Sequence, residues 1–136
     1  MAAGNLRLEV ATPERLLIEE DASEVYIPAA NGMIGIWPEH APLLAELGTG
    51  SLSFVTTAGR RSICVSGGWI QVLKNEVRVL ADRAENVNEI DTARAQAALK
   101  RANDRLNAPL SANIDVARAL AAAKRAEARL AAALSK

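Results

Sequence analysis

The sequence holds one cysteine, one histidine, one tyrosine and one phenylalanine. With Cys64 alone, no disulfide can close within the chain, and a reducing compartment fits. Cys64 lies in the alternating run SICVS and reads as a small buried hydrophobe. With His40 alone, a metal centre built from several histidines is excluded, as is a histidine pair. His40 sits in the proline-flanked stretch WPEHAPL and reads as a structural or interface residue rather than a general base. Neither G-x-x-x-x-G-K-[ST] nor G-x-G-x-x-G occurs, and no nucleophile elbow is present. Ser66-Gly67-Gly68 lacks the lysine and following helix of a phosphate loop, so a tight turn or bulge between strands is expected. No charged-then-apolar leader opens the chain and no apolar run approaches a membrane span, so contact with a membrane is expected only through partners. The formal net charge is zero, which gives no overall attraction to nucleic acid. These absences leave a non-catalytic chain.

What remains is aliphatic. Half of the residues are hydrophobic but only 3% are aromatic, so any core is built from Leu, Ile, Val and Ala, with Trp37 and Trp69 as core or interface anchors. The first eighty or so residues carry period-two runs: LRLEVATP, LLIEEDASEVYIP, GSLSFVTT, RRSICVSGGWIQVLKN and EVRVLADR. Thr12-Pro13, Ala30-Asn31-Gly32, Gly48-Thr49-Gly50, Ala58-Gly59 and Lys74-Asn75 punctuate them as turns. Many short strands at this spacing predict an antiparallel sandwich or barrel.

After Arg83 the period becomes helical, alanine dominates and glycine is gone. IDTARAQAALKRANDRL (Ile90–Leu106) is repeated as IDVARALAAAKRAEARL (Ile114–Leu130), 24 residues on. Asn88 is a candidate N-cap, Pro109 forces the first helix to end near Asn107, and Ser111 or Asn113 is expected to cap the second. The short NAPLSA link makes the helices antiparallel neighbours. The predicted class is therefore α+β: an N-terminal antiparallel β-sandwich over residues 1–86, then a two-helix antiparallel hairpin over 87–136.

The facing stripes are Ala95, Ala98, Leu99, Ala102 and Leu106 on one helix and Ala119, Ala122, Ala123, Ala126 and Leu130 on the other. A buried methyl contributes only about 0.8 kcal/mol. Alanine-rich helices are also good helices alone. The sequence thus predicts two stable rods in a weak latch. Arg94, Arg101 and Arg105 share a face, and Arg118, Arg125 and Arg129 repeat the pattern. Such clusters suit a polyphosphate through bidentate contacts, although a solvated helix edge is the commoner use of the same spacing. Asp91 and Asp115 read first as helix starts. From Asn113 onward five basic residues face two acidic ones, so the tail is locally basic.

These features resemble the epsilon subunit of bacterial F-type ATP synthases. The resemblance runs in order from about Leu6 to Leu134. Its most specific pieces are G-x-x-G-I-x-P-x-H-A-P-L at Gly32–Leu43, S-G-G-[FW]-x-x-V at Ser66–Val72 and I-D-x-x-R-A at Ile90–Ala95. It implies a rotor subunit of the central stalk, on the cytoplasmic face of the bacterial plasma membrane. Through the sandwich it would bind the gamma subunit and the c-ring, with Met33, Trp37, His40 and Pro42 in the interface region. The hairpin would either fold on the sandwich or extend toward the alpha and beta subunits and restrain ATP hydrolysis, with Lys124, Arg125 and Arg129 meeting beta. No cofactor is required. In some members the folded hairpin binds ATP as a regulatory ligand, and the matching positions here are Glu85, Asp91, Arg94, Arg101, Arg125 and Arg129. Three positions depart from the family pattern: Met33 replaces a usual glutamate, Trp37 a leucine, and Glu39 the glycine before His40. The alternative is a free-standing nucleotide-sensing adaptor that uses the same aspartate and arginines without a stalk. Co-purification with the other subunits separates the two readings.

Overall fold

The computed structural model describes residues 5–108 and 115–134. Eight strands come first: β1 (Leu6–Ala11), β2 (Leu16–Ala22), β3 (Glu24–Ala29), β4 (Gly32–Ile36), β5 (Leu43–Glu46), β6 (Thr49–Thr56), β7 (Gly59–Leu73) and β8 (Glu76–Asn86). A 3-10 turn (Val87–Glu89) leads to the helices α1 (Thr92–Leu106) and α2 (Val116–Leu134). The expected run LLIEEDASEVYIP is two strands broken at Ser23, and β4 and β5 are strands that the turn signals around them concealed.

The strands form two layers around one core, aliphatic except for Phe54. One layer is β2, β1, the first half of β8, the second half of β7, and β5. The other is β4, β3, β6, the first half of β7 and the second half of β8. All ladders are antiparallel except β1 with β8, which is parallel. Between the layers lie Leu6, Leu8, Val10, Val25, Ile27, Leu52, Phe54, Ile63, Val65, Ile70, Val72, Val77 and Val79, all at 1% exposure or less.

β7 crosses from one layer to the other at Gly67-Gly68. Up to Ser66 it pairs with β6, and from Trp69 it pairs with β5. Both glycines have positive φ, at 68° and 123°. A Cβ on Gly68 would lie 1.9 Å from the Leu80 carbonyl oxygen, so only glycine fits. The motif is thus a bend inside one long strand rather than a turn between two. It switches the inward positions from Ile63 and Val65 to Ile70 and Val72. Before the bend Cys64 points away from the core, and that outer face is where the hairpin lies.

The hairpin packs through α2, which rests on β6 and β7, with α1 against α2. The alanine stripes are buried as expected at Ala95, Ala102, Ala119, Ala123 and Ala126, while Leu99, Leu106 and Leu130 stay half-buried. Among the described residues, a small buried apolar cluster joins hairpin to sheet: Cys64, Ile90 and Ala132, flanked by Ala128 and Ala133. The N-cap of α1 is Asp91, not Asn88: its carboxylate accepts from the Arg94 amide at 3.0 Å. Asn86 and Glu89, whose carboxylate accepts from the Asn86 amide, instead organise the 3-10 turn. α1 ends at Leu106 with Asn107 as C-cap. The Ser111 and Asn113 caps fall outside the described residues. Asp115 accepts from the Arg118 amide at 3.0 Å, the same contact that opens α1.

Candidate functional site

Where β8 ends against the hairpin, a groove of about 350 Å³ opens between β8, α1 and α2. Its floor is small: Ala95, Ala98 and Ala122 leave room above the helix–helix seam. Its walls are charged. Outward alternation on β8 brings Arg83 and Glu85 to the rim while Ala84 turns inward. α1 contributes Asp91, Arg94, Arg101 and Arg105, and α2 contributes Arg125 and Arg129. All six residues expected at a nucleotide site, Glu85, Asp91, Arg94, Arg101, Arg125 and Arg129, line this one groove.

The carboxylates in the groove are already engaged. Glu85 accepts from Arg129 Nε at 2.5 Å, a half-buried ion pair between sheet and α2. Glu89 takes a bidentate contact from Arg15 at 3.0 and 2.8 Å, which lowers its pKa together with the Asn86 amide hydrogen bond. Asp91 is committed to the N-terminus of α1. Every aspartate and glutamate of the chain is among the described residues. Arg83, Arg94, Arg101, Arg105 and Arg125 nonetheless have no acidic ion-pair partner there. Burial pushes the Arg125 pKa down, and the positive charges of Arg83, Arg129 and Arg118 push it further. The groove is an unneutralised cluster of guanidinium groups, and its chemistry is that of an anion receptor.

Arg83 and Arg105 join the groove beyond the residues that the family resemblance supplied. Lys124 is exposed and lines none of it, and Arg118 stays an exposed residue of the first turn of α2.

A second surface is apolar. Strand register sets Leu16, Ala11, Leu80 and Trp69 side by side across β2, β1, β8 and β7. The three large members are each just over half exposed, and Leu44 and Leu73 extend the same outer face. Trp69 is therefore a surface residue, not a core anchor. The expected interface residues lie elsewhere, on β4 and the segment after it. Trp37 is exposed, stands edge-on to Tyr26 at 5.6 Å and donates Nε1–H to Glu24 at 2.9 Å. His40 is half-buried with Nδ1 2.7 Å from the Ala41 carbonyl oxygen, Pro42 is exposed, and Met33 is exposed on β4, lining a wide depression with Arg60, Arg61 and Ala131. The Glu39 departure is explained locally. Its φ is +66°, the region where glycine is at ease, and two contacts with Asn75 hold it there: amide to Oδ1 at 2.7 Å and Nδ2 to Oε1 at 3.3 Å.

Residues 5–87 match the family model described as "ATP synthase, Delta/Epsilon chain, beta-sandwich domain". The chain is 53% identical to the ATP synthase epsilon chain of Solibacter usitatus over 79% of its own length and 81% of the relative's. It is 46% identical to that of Carboxydothermus hydrogenoformans, over 76% and 78%. Among solved structures, a chain of the Euglena gracilis mitochondrial ATP synthase (OSCP/F1/c-ring) shares the fold with a TM-score of 0.82 at 23% identity, covering 96% of this chain and 82% of that one.

Proposed function

The chain belongs to the ATP synthase epsilon family, and from that membership we propose that it is a rotor subunit whose C-terminal hairpin is a nucleotide-responsive brake on ATP hydrolysis. The sandwich is the anchored part. The apolar row Leu16–Ala11–Leu80–Trp69 suits the gamma subunit as its cover, because so much exposed apolar surface is otherwise a liability in a free protein. Met33, Trp37, His40 and Pro42 lie toward the c-ring. The row thus favours an assembled subunit over a free-standing adaptor. The protein stands at the cytoplasmic face of the membrane, held there by its partners.

The hairpin is the moving part. ATP in the groove would tie α1, α2 and β8 together and hold the hairpin down. The observation that carries this reading is the convergence of Glu85, Asp91, Arg94, Arg101, Arg125 and Arg129 on one groove rich in unpaired arginine. With the hairpin folded, Arg125 and Arg129 are committed to the groove. They can meet acidic surface on a beta subunit, beside Lys124, only after it opens. Nucleotide binding and inhibition therefore compete for the same two side chains.

Two measurements test this. Hydrolysis by the assembled complex should rise when residues from Asn88 onward are deleted, and again when Arg125 and Arg129 are both changed to glutamate. Unchanged hydrolysis in both removes the brake. Titration calorimetry of the chain with ATP should show heat that Arg94→Ala abolishes or weakens, and no heat at millimolar ATP ends the nucleotide reading.

A further inference from the structure

The groove holds more positive charge than the residues of the nucleotide reading alone provide. Arg83 comes from the sheet and Arg105 from the far end of the α1 row, and among the described residues neither has an acidic ion-pair partner. Arg94 to Arg105 spans eleven residues of helix, about 16 Å at 1.5 Å per residue. A single phosphate can meet only a part of such a row. The long side chains of Arg94, Arg101 and Arg105 can converge on a linear chain of phosphates from different points of the row, with Arg125 and Arg83 on the other walls. The three carboxylates at the groove are spoken for by Arg129, Arg15 and the α1 N-terminus. A magnesium ion on the phosphates would cancel part of the negative charge that the arginines attract.

We propose that Arg83 and Arg105 complete the groove as a receptor for a metal-free polyphosphate chain, so that the phosphates rather than the base provide most of the recognition. The proposal uses the same groove as the nucleotide reading and deepens it. ATP is then one carrier of the recognised group, and inorganic tripolyphosphate is another. Each guanidinium contributes charge-assisted contacts to phosphate oxygens, which are stronger and more directional than contacts from a point charge. Arg105 is exposed on a helix and Arg83 is exposed on a strand, so removing either side chain leaves the packing intact. Arg105→Ala also keeps or improves helix propensity.

The test is calorimetry on the full chain with sodium ATP, ATP in excess magnesium, inorganic tripolyphosphate and orthophosphate. Tripolyphosphate should bind and displace ATP, orthophosphate should not displace it at equal concentration, and magnesium should weaken ATP binding. Arg83→Ala and Arg105→Ala should each weaken both ligands about tenfold, the effect of losing one hydrogen bond to a charged group, with unchanged circular dichroism. ATP binding that ignores tripolyphosphate, magnesium and both variants overturns this proposal and leaves the nucleotide reading standing. Orthophosphate that competes as well as tripolyphosphate also overturns it. Tripolyphosphate binding without ATP binding sustains it and sinks the nucleotide reading.

Discussion

Changing Ala132 to aspartate should free the hairpin without unfolding the sandwich. Ala132 is fully buried against Cys64 and Ile90, with Ala128 and Ala133 beside it. Three alanine methyls at about 0.8 kcal/mol each give about 2.4 kcal/mol. The half-buried Arg129–Glu85 pair adds on the order of 1 kcal/mol. A latch of about 3 kcal/mol leaves the hairpin off the sheet roughly one per cent of the time. An unpaired carboxylate at that contact costs at least several kcal/mol, more than the latch holds. The sandwich core is a separate cluster, so it should keep its melting transition. Cys64 reads out the result. Burial, reinforced by the charge of Glu85, pushes its thiol from 9.0 up to about 11. Exposure would return it toward 9.0, raising the thiolate fraction about a hundredfold at pH 8, and the thiolate is the reactive form. Labelling with a neutral disulfide reagent should therefore accelerate at least a hundredfold in the Ala132→Asp protein. In the unmodified protein, ATP should slow labelling by holding the hairpin down. An unchanged labelling rate in a variant that still melts like the parent would show that the hairpin is not what shields Cys64.

The same thiol gives a pH dependence with a definite sign. The docked state keeps the Cys64 proton up to about pH 11, while the undocked thiol loses it near 9.0, so docking weakens as pH rises through that window. The loss reaches about 2.7 kcal/mol for two pKa units, close to the whole latch. Far-ultraviolet circular dichroism should stay helical there while Cys64 becomes reactive faster than the reagent's own pH dependence. Glu39→Gly should raise stability by about 0.5–1 kcal/mol by relieving the left-handed backbone, seen as a higher melting temperature. A lower melting temperature would mean that the Asn75 contact, not the backbone strain, governs that turn. Trp69→Ser with Leu80→Ser should leave the melting temperature nearly unchanged, since both side chains are exposed, yet abolish co-purification with the gamma subunit. Retained co-purification would show that gamma docks elsewhere.

Period and punctuation revealed the sandwich and the hairpin because both are local signals. What escaped is non-local or depends on phase. β4 reads GMIGI, where two glycines and an exposed methionine hide a strand, and β5 is only four residues long. The parallel pairing of β1 with β8 joins residues about seventy positions apart, and nothing local announces it. The apolar row needs four strands in register before Leu16, Leu80 and Trp69 become neighbours. The phase change at Gly67-Gly68 decides which residues of β7 face out, and with it why Cys64 meets the hairpin rather than the core. Arg83 was missed for the same reason: it stands on a strand, and only register and bend direct it to the groove.

The repeated IDTARA and IDVARA show how far one local signal reaches. Both copies do the same local work: Asp91 and Asp115 each accept from the amide three residues on, at 3.0 Å. The arginines also correspond in pairs, 94 with 118, 101 with 125 and 105 with 129. Two of these pairs enter the groove complete, and from the third only Arg94 does. The difference is made by the sheet. α2 lies on β6 and β7, and Glu85 at the end of β8 fixes Arg129 beside the start of α1. That draws Arg125 and Arg129 into a groove that runs along α1 from Asp91 to Arg105 and leaves Arg118, in the first turn of α2, outside it. Duplication supplied two equal helices, and docking one of them on a third element turned a symmetric arginine pattern into a one-sided site.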